Sequence, residues 1–186
     1  IYDRVPMDKE QVNIYLGHLG IVRSNPDFYA LQVMDTILGG GPGFTSRIPR
    51  RIRDEQGLAY LTYSDLTGSA GVYPGRFVAF VGTAPENADR ALDSLRREID
   101  DFLEEGPNEE ELRVARNFLT GSFVFELQSN SSIARLLLSI EVFALERSFL
   151  ARYPDLIRAV TLNDIRRVAA QYLDTINYTT VIVGSH

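Results

Sequence analysis

Alternating apolar and polar residues predict four strands in this chain. In QVNIYLGHLGI, Val12, Ile14 and Leu16 alternate with polar or small residues, as in a strand with one buried face. LAYLTYSDLT and GRFVAFVGT read as strands on either side of a Gly/Pro-rich connection, and NYTTVIVG closes the chain. The predicted strands span 11–21, 58–67, 75–83 and 177–184.

Helical patterns with recognisable ends fill most of the remaining chain. In SNPDFYALQVMDTILGGG, Asn25 is placed to cap a helix that has Pro26 in its first turn and ends at Gly39. In SRIPRRIRDEQG, Ser46 is the predicted cap and Gly57 the predicted end. Further helices are predicted over 83–106, 107–127, 131–145, 154–159 and 161–173.

The order of these elements predicts the fold class. Two of the later helices begin with the capping-box spacing, Thr83 with Glu86 and Asn108 with Glu111. Strands and helices do not alternate singly, which argues against a doubly wound parallel sheet. We expect an α+β fold in which helices cover one face of a mainly antiparallel sheet. The length of 186 residues, without a linker or repeat, predicts a single domain over residues 1–186.

The amino-acid composition argues against several classes of function. The chain is 45% hydrophobic and 24% charged, as is usual for a globular domain, and its net charge of −6 argues against nucleic-acid binding over the whole surface. The absence of cysteine excludes disulfides, thiol catalysis and Cys-ligated zinc, but does not indicate a compartment. No apolar run reaches the roughly 18 residues of a membrane span. The chain begins at Ile1 without an initiator Met, and we expect it to be part of a longer protein.

The glycine-rich stretch GGGPGFTS is a poor match to phosphate-binding motifs. A P-loop needs a Lys before its Ser or Thr, and this stretch has none. The dinucleotide-binding fingerprint needs a glycine where Phe44 stands. It also follows a strand, whereas this stretch follows a predicted helix. Phosphate binding is therefore not expected here.

Catalysis by this chain alone is not expected either. The sequence has only His18 and His186, and neither lies in a helical H-E-x-x-H motif. A Ser-His-Asp triad would depend on His18, and no G-x-S-x-G turn is present. We interpret His18 as a packing or surface residue and predict neither metal ligands nor a cofactor in this chain.

An arginine cluster follows the glycines. It offers a basic patch for nucleic acid, although Asp54 and Glu55 offset part of its charge and few aromatic residues lie within it. The alternative is a solvent-exposed helix face, and both interpretations stay open. The cluster consists of Arg47, Arg50, Arg51 and Arg53.

A family resemblance extends over nearly the whole chain. It runs from ILGGG and SRIPRRIRDEQGLAYLTYSDL through GRFVAFVGTAPENADRALDSLRREIDDFLEEGPNEEELRVARNFLTGSF to RYPDLIRAVTLNDIRRVAAQYL and YTTVIVGSH. On these stretches the chain resembles the pitrilysin/insulysin family of zinc metallopeptidases. That family includes the mitochondrial processing peptidase and the core subunits of the respiratory bc1 complex. In such enzymes two homologous α+β halves enclose an unfolded peptide.

The resemblance implies that this chain is the half without zinc. The catalytic half of the family carries an inverted H-x-x-E-H helix, which is absent here. The other half supplies an Arg and a Tyr seven residues apart, and Arg53 and Tyr60 have that spacing in RDEQGLAY. By this resemblance Arg53 orients the substrate and Tyr60 donates a hydrogen bond to the developing oxyanion, while the zinc belongs to a partner half.

The glycine-rich stretch is the second predicted contact with substrate. In the processing peptidase, the non-catalytic subunit has a glycine-rich loop that contacts substrate, and GGGPGFTSR resembles a shortened version of it. Glycines allow two backbones to approach each other closely. The alternative is that Gly39 ends a helix and the rest forms a tight connection. The predicted substrate-binding residues are Gly39, Gly40, Gly41, Gly43, Ser46 and Arg47.

Two functions follow from these observations. The first is the substrate-binding half of a zinc endopeptidase acting on unfolded peptides, with the homologous H-x-x-E-H half in the same polypeptide or in a separate chain. The alternative is a structural subunit of a larger complex, without a proteolytic role. The spacing of Arg53 and Tyr60 favours the first, because a scaffold does not need it. We expect the isolated half to expose the apolar surface that faces its partner and to self-associate.

Overall fold

The computed structural model describes residues 1–42 and 45–185. Its strands are β1 Tyr2–Pro6, β2 Val12–Leu19, β3 Leu61–Asp65, β4 Arg76–Thr83 and β5 Thr179–Gly184. Its α-helices are α1 Phe28–Asp35, α2 Ala88–Glu105, α3 Glu109–Ser122, α4 Asn130–Val142, α5 Phe149–Ala159 and α6 Leu162–Tyr172. The π-helical segments are Thr36–Gly40 and Pro49–Glu55, and the short 3-10 helices are Pro85–Asn87 and Phe123–Leu127. Within the described residues, no helix is both long enough and apolar enough to span a membrane.

The five strands form one sheet in the order β1-β5-β2-β4-β3. Three of the four strand pairs are antiparallel, while β1 and β5 run in parallel. The predicted α+β fold with a mainly antiparallel sheet is therefore confirmed, with the addition that the sheet is mixed. Strand β1 was absent from the predicted elements because YDRVP is exposed throughout and lacks the alternation of a half-buried strand.

The helices pack on one face of this sheet. Val12, Ile14 and Leu16 point into a core shared with the helices, and each is at most 1% exposed. The neighbouring Tyr15 lies on the opposite face, where it is 40% exposed and its ring contacts Phe80. The predicted alternation of β2 is therefore confirmed, as is the prediction that helices cover one face.

Two predicted helix ends are confirmed. The side chain of Asn108 accepts a 2.9 Å hydrogen bond from the Glu111 N–H, and the Glu111 carboxylate accepts one of 2.9 Å from the Asn108 N–H. This reciprocal pair is the predicted capping box of α3. Gly57 has a φ of +64°, the left-handed conformation that follows a helix end.

Three predicted caps are wrong, because their side chains bond elsewhere. Asn25 accepts a hydrogen bond from the backbone N–H two residues later, and α1 starts only after that turn. The hydroxyl of Ser46 donates to the carbonyl of Thr36 at 3.0 Å and caps no helix. Thr83 ends β4 instead of opening α2, and its hydroxyl donates to the carbonyl of Leu58 at 2.5 Å.

Candidate functional site

Arg53 and Tyr60 lie on either side of one sharp corner of the chain. Arg53 is in the last turn of its π-helix, Gly57 reverses the chain, and Tyr60 immediately precedes β3. The Gly57 N–H donates to the Arg53 carbonyl at 3.1 Å, which closes the helix end. Leu58 is 5% exposed and fixes the corner against the core. The local sequence is therefore sufficient to place both side chains at this edge of the sheet.

The two side chains differ in how firmly they are held. The Arg53 guanidinium bonds both oxygens of Asp54, with Nε–Oδ1 at 2.7 Å and Nη2–Oδ2 at 3.3 Å. This hydrogen bonding raises the pKa of Arg53 and lowers the pKa of Asp54, so both groups are charged at neutral pH. Tyr60 is 69% exposed and is held through its backbone, because its N–H donates to the Gly82 carbonyl at 2.9 Å.

A cavity of about 490 Å³ brings Arg53 together with the glycine-rich segment. Gly39, Gly40 and Gly41 line one side of it, and the residues of β3 line another. Tyr60 is not among the residues that line the cavity, although it immediately precedes Leu61, which is. Three of the predicted glycines and Arg53 are therefore neighbours in the fold, whereas the predicted Gly43 lies outside the described residues.

Packing explains two of these glycines. A Cβ on Gly39 would lie 2.5 Å from the backbone nitrogen of Ser64, and one on Gly41 would lie 2.5 Å from the carbonyl oxygen of Thr36. Both contacts are with backbone, so neither position accepts a side chain without a shift. Gly39 is buried and Gly40 is exposed, so the segment offers its accessible backbone mainly at Gly40 and Gly41.

Ser46 and Arg47 lie behind this segment and have internal partners. Ser46 is fully buried, and Arg47 is 8% exposed. The Arg47 Nε and Nη2 atoms bond the Glu111 carboxylate at 2.7 and 2.9 Å, and Nη2 also donates to the Gly106 carbonyl at 2.7 Å. Ser46 therefore supports the helical segment that leads into the glycines, whereas Arg47 is bound to the connection between α2 and α3. Substrate contact by their side chains stays a prediction.

The other arginines of the cluster also face carboxylates. Arg50 Nε lies 3.5 Å from Glu55 Oε1, and Arg51 Nε lies 3.2 Å from Oε2 of the buried Glu98. A basic patch for nucleic acid needs cationic side chains that are available to phosphates. Because acidic neighbours compensate these charges, the geometry favours the helix-face interpretation over the nucleic-acid one.

Asp35 is a residue of this cavity that sequence reasoning missed. It is only 6% exposed, and its carboxylate accepts hydrogen bonds from the Ser64 hydroxyl at 2.6 Å and the Leu66 N–H at 3.2 Å. Burial raises its pKa to about 6, and the nearby Asp65 adds to the effect. The available signal was a single acidic residue within the apolar helical stretch LQVMDTIL.

The described residues do not suit a zinc ion. They contain no group of three or more His, Cys, Asp or Glu side chains that could hold a metal. Both ring nitrogens of His18 are occupied: Nδ1 is 2.8 Å from the Leu19 carbonyl oxygen, and Nε2 accepts from the Asp174 N–H at 3.3 Å. The ring stacks on Phe77 at 5.0 Å, so His18 is a packing residue. His186 lies outside the described part of the chain.

Comparison with known proteins identifies the family of this chain. The family model described as "Peptidase M16 inactive domain" matches residues 1–119. The chain belongs to this family. An uncharacterized zinc protease of Streptomyces coelicolor is 31% identical over 164 residues, which make up 88% of this chain and 35% of that protein. This M16 inactive domain thus spans about a third of that relative.

A solved structure shares the fold of this M16 inactive domain, and a second relative matches part of its sequence. A crystal structure of a peptidase M16 inactive domain from Pseudomonas fluorescens is 25% identical and covers all of this chain and 43% of that one, with a TM-score of 0.91. A "non-peptidase homolog" of Helicobacter pylori is 30% identical over 118 residues, which are 62% of this chain and 26% of that protein. The resemblance inferred from the motifs is confirmed.

Proposed function

We propose that this M16 inactive domain is the substrate-binding, non-catalytic half of a zinc endopeptidase that acts on unfolded peptides. The observation that carries the proposal is that Arg53 and the glycine-rich segment share one cavity, and Tyr60 is the residue immediately before the strand that lines it. The Arg53 guanidinium has donors for peptide carbonyls and keeps its charge. The exposed Tyr60 hydroxyl is suited to donate to the oxyanion that develops on the attacked carbonyl.

The cavity is suited to an extended backbone. Gly40 and Gly41 line it with main-chain atoms, which the backbone of a bound segment can approach closely. Asp54 holds the Arg53 guanidinium through two hydrogen bonds, which limits the rotamers open to it before substrate arrives. Within this proposal the domain positions the peptide, and the H-x-x-E-H half supplies the metal.

The partner half needs a surface on which to dock, and the outward face of α4 is the best candidate. Leu137, Leu138 and Val142 are 51%, 63% and 51% exposed on this helix, and Ile140 is its one buried residue in the described chain. Val124, in the preceding 3-10 helix, adds to the apolar surface. Because related chains are more than twice as long, we propose that the homologous catalytic half covers this face.

The deciding experiment combines this chain with the H-x-x-E-H half from the same source and measures cleavage of an unfolded peptide. Tyr60→Phe removes one oxyanion donor and is expected to lower kcat by about 10²–10³-fold. Arg53→Ala is expected to raise KM and lower kcat/KM. Tyr73→Phe, at a tyrosine that is 83% exposed elsewhere, is the matched control. Full activity in both Tyr60→Phe and Arg53→Ala would rule out the proposed roles.

A structural subunit is the second candidate function, and one relative favours it. The Helicobacter pylori relative is described as a non-peptidase homolog, so the family contains members without proteolytic activity. If the two halves form a stable complex that cleaves none of a diverse set of unfolded peptides, the structural function takes precedence.

A further inference from the structure

A second cavity, of about 440 Å³, adjoins the one that contains Arg53. Gln32, Thr67, Gly68 and Leu119 line both cavities, so the two are neighbours with a shared boundary. The first cavity follows β3, and the second continues beyond the end of that strand, between the helices. A peptide held beside Arg53 can therefore extend into the second cavity.

Aromatic rings dominate the walls of this second cavity. Phe123 stacks on Tyr153 with ring centroids 4.3 Å apart, and Phe149 meets Tyr153 at 5.7 Å. The Arg23 guanidinium, which also lines this cavity, lies 3.7 Å from the centroid of Phe28 and 5.7 Å from that of Phe149. Walls of this kind, around a few polar atoms, are typical of sites that bind large apolar groups.

One polar atom at the junction of the two cavities lacks a partner. The side chain of Gln32 interacts with the Tyr153 hydroxyl. Its Oε1 atom is nevertheless buried and has no hydrogen-bond partner in the described part of the chain. Buried acceptors without a donor destabilise a fold, so those that occur call for an explanation. Rotation of the Gln32 amide toward the cavities that it lines would let this oxygen accept a hydrogen bond from a backbone N–H of a bound peptide.

We propose that the second cavity is a specificity pocket for a large apolar, preferably aromatic, side chain of the peptide substrate, whose backbone donates an N–H to Gln32 Oε1. This proposal rests on the proposed function for the path of the peptide past Arg53. The strand Leu61–Asp65 separates Arg53 from the second cavity, and an extended peptide advances about 3.3 Å per residue. The pocket therefore takes a residue about five positions from the one beside Arg53.

Binding to the pocket can be tested without any peptidase activity. N-acetyl-phenylalanine amide and N-acetyl-alanine amide are titrated into the 15N-labelled chain, and amide chemical shifts are followed. We expect the phenylalanine compound to shift the signals of Thr67, Gly68 and Ser139 and to bind at least about 10-fold more tightly. Equal binding of the two compounds, or shifts confined to other regions, would overturn the proposal.

A filled pocket provides the matched comparison. Ser139 lines the second cavity from α4 and is partly exposed, so Ser139→Phe should fill the cavity and abolish the preference for phenylalanine. Ser131, on the exposed start of the same helix, gives the control Ser131→Phe, which should leave binding unchanged. Gln32→Leu removes the acceptor and should weaken binding of both compounds.

The assembled enzyme then connects the pocket to proteolysis. A single Phe is moved along an otherwise Ala- and Ser-based peptide, and kcat/KM is measured at each position. We expect kcat/KM to be about 10-fold higher when Phe stands about five residues from the peptide residue beside Arg53. This increase should disappear in Ser139→Phe. Arg53→Ala should lower kcat/KM for every peptide alike. If the phenylalanine amide still binds the pocket but Arg53→Ala leaves kcat/KM unchanged, the peptidase role is contradicted and the pocket is not. If kcat/KM is the same for every position of Phe, the pocket is contradicted.

Discussion

The hydroxyl of Ser64 donates a 2.6 Å hydrogen bond to Oδ1 of the buried Asp35 and so joins the edge strand β3 to helix α1. The Leu66 N–H adds a 3.2 Å bond to Oδ2. Both partners are uncharged, and burial raises the pKa of Asp35 from the ordinary 3.8 to about 6. The carboxylate charge therefore destabilises the strand that follows Tyr60 whenever Asp35 is ionised.

The first prediction concerns the pH dependence of stability. Because the pKa of Asp35 is higher in the folded state than in the unfolded state, protonated Asp35 stabilises the fold, and this stabilisation is fully present below about pH 4. It is lost as pH rises through about 6. A difference of about two pKa units corresponds to about 3 kcal/mol of unfolding free energy. Asp35→Asn should remove this loss and stabilise the protein at neutral pH, as measured by urea denaturation at acidic and neutral pH.

The surface variant Asp155→Asn controls for the removal of one carboxylate, since the side chain of Asp155 is 81% exposed. The informative quantity is the difference in unfolding free energy between variant and parent at each pH. If this difference for Asp35→Asn is the same at both pH values, the assigned titration of Asp35 is wrong.

The Asp35–Ser64 bond is an example of a contact between distant residues that the sequence pattern does not predict. Some features whose partners are close in the chain were predicted correctly, such as the Asn108–Glu111 capping box three residues apart. Thr83 had the same local spacing, yet its hydroxyl bonds a residue 25 positions away, because a tertiary partner is available in the folded chain. The Asp35 contact spans 29 positions, so no local pattern could reveal it.

The two parts of the candidate site differ in the same way, in how far apart their residues lie in the sequence. Arg53 and Tyr60 could be located because Gly57 and the strand pattern after it are local signals. The residues that line the aromatic pocket come from segments that are far apart in the sequence. From helical periodicity alone, its aromatic residues are predicted to be ordinary core residues. Strand β1 was missed for a related reason, since its partner β5 lies at the other end of the chain.

The second prediction compares two glycines. Gly39→Ala places a Cβ 2.5 Å from the Ser64 nitrogen, which forces the glycine-rich segment away from β3 and should destabilise the fold by about 1–3 kcal/mol. At Gly121, in α3, the position that a Cβ would take has no tertiary neighbour within 4 Å among the described residues, so Gly121→Ala should stabilise by up to about 1 kcal/mol. Thermal unfolding of both variants measures the contrast. Equal effects would mean that close packing does not require glycine at position 39.

The third prediction concerns the buried ion pair between Arg47 and Glu111. Their side chains are 9% and 12% exposed, so Arg47→Met should leave a buried carboxylate unpaired and destabilise by roughly 3–5 kcal/mol. Burial raises the pKa of Glu111, but the hydrogen bonds from Arg47 and Asn108 outweigh it and the net shift is downward. The stabilisation by this pair is therefore present at neutral pH and is lost as the pH falls into the acidic range.

Urea denaturation at neutral pH measures this loss. Arg113→Met serves as the control, because Arg113 pairs with Glu110 at the surface and its removal should change stability little. The double variant Arg47→Met/Glu111→Leu should recover part of the loss, since it leaves neither charge unpaired. A loss in Arg47→Met no larger than that of Arg113→Met would show that the buried pair does not hold α3 in place.

The fourth prediction tests the outward face of α4 as the docking surface for the catalytic half. Leu138→Glu and Val142→Glu place charges on an exposed apolar surface, so they should leave folding intact and weaken association with the catalytic half about 10-fold or more. Self-association of the isolated chain, followed by sedimentation velocity, should fall in parallel. Tyr73→Glu alters a residue that is 83% exposed and far from α4 in the sequence, and it should change neither. If the α4 variants bind the catalytic half as tightly as the parent does, the two halves meet through another surface, and the exposed leucines of α4 need a different partner.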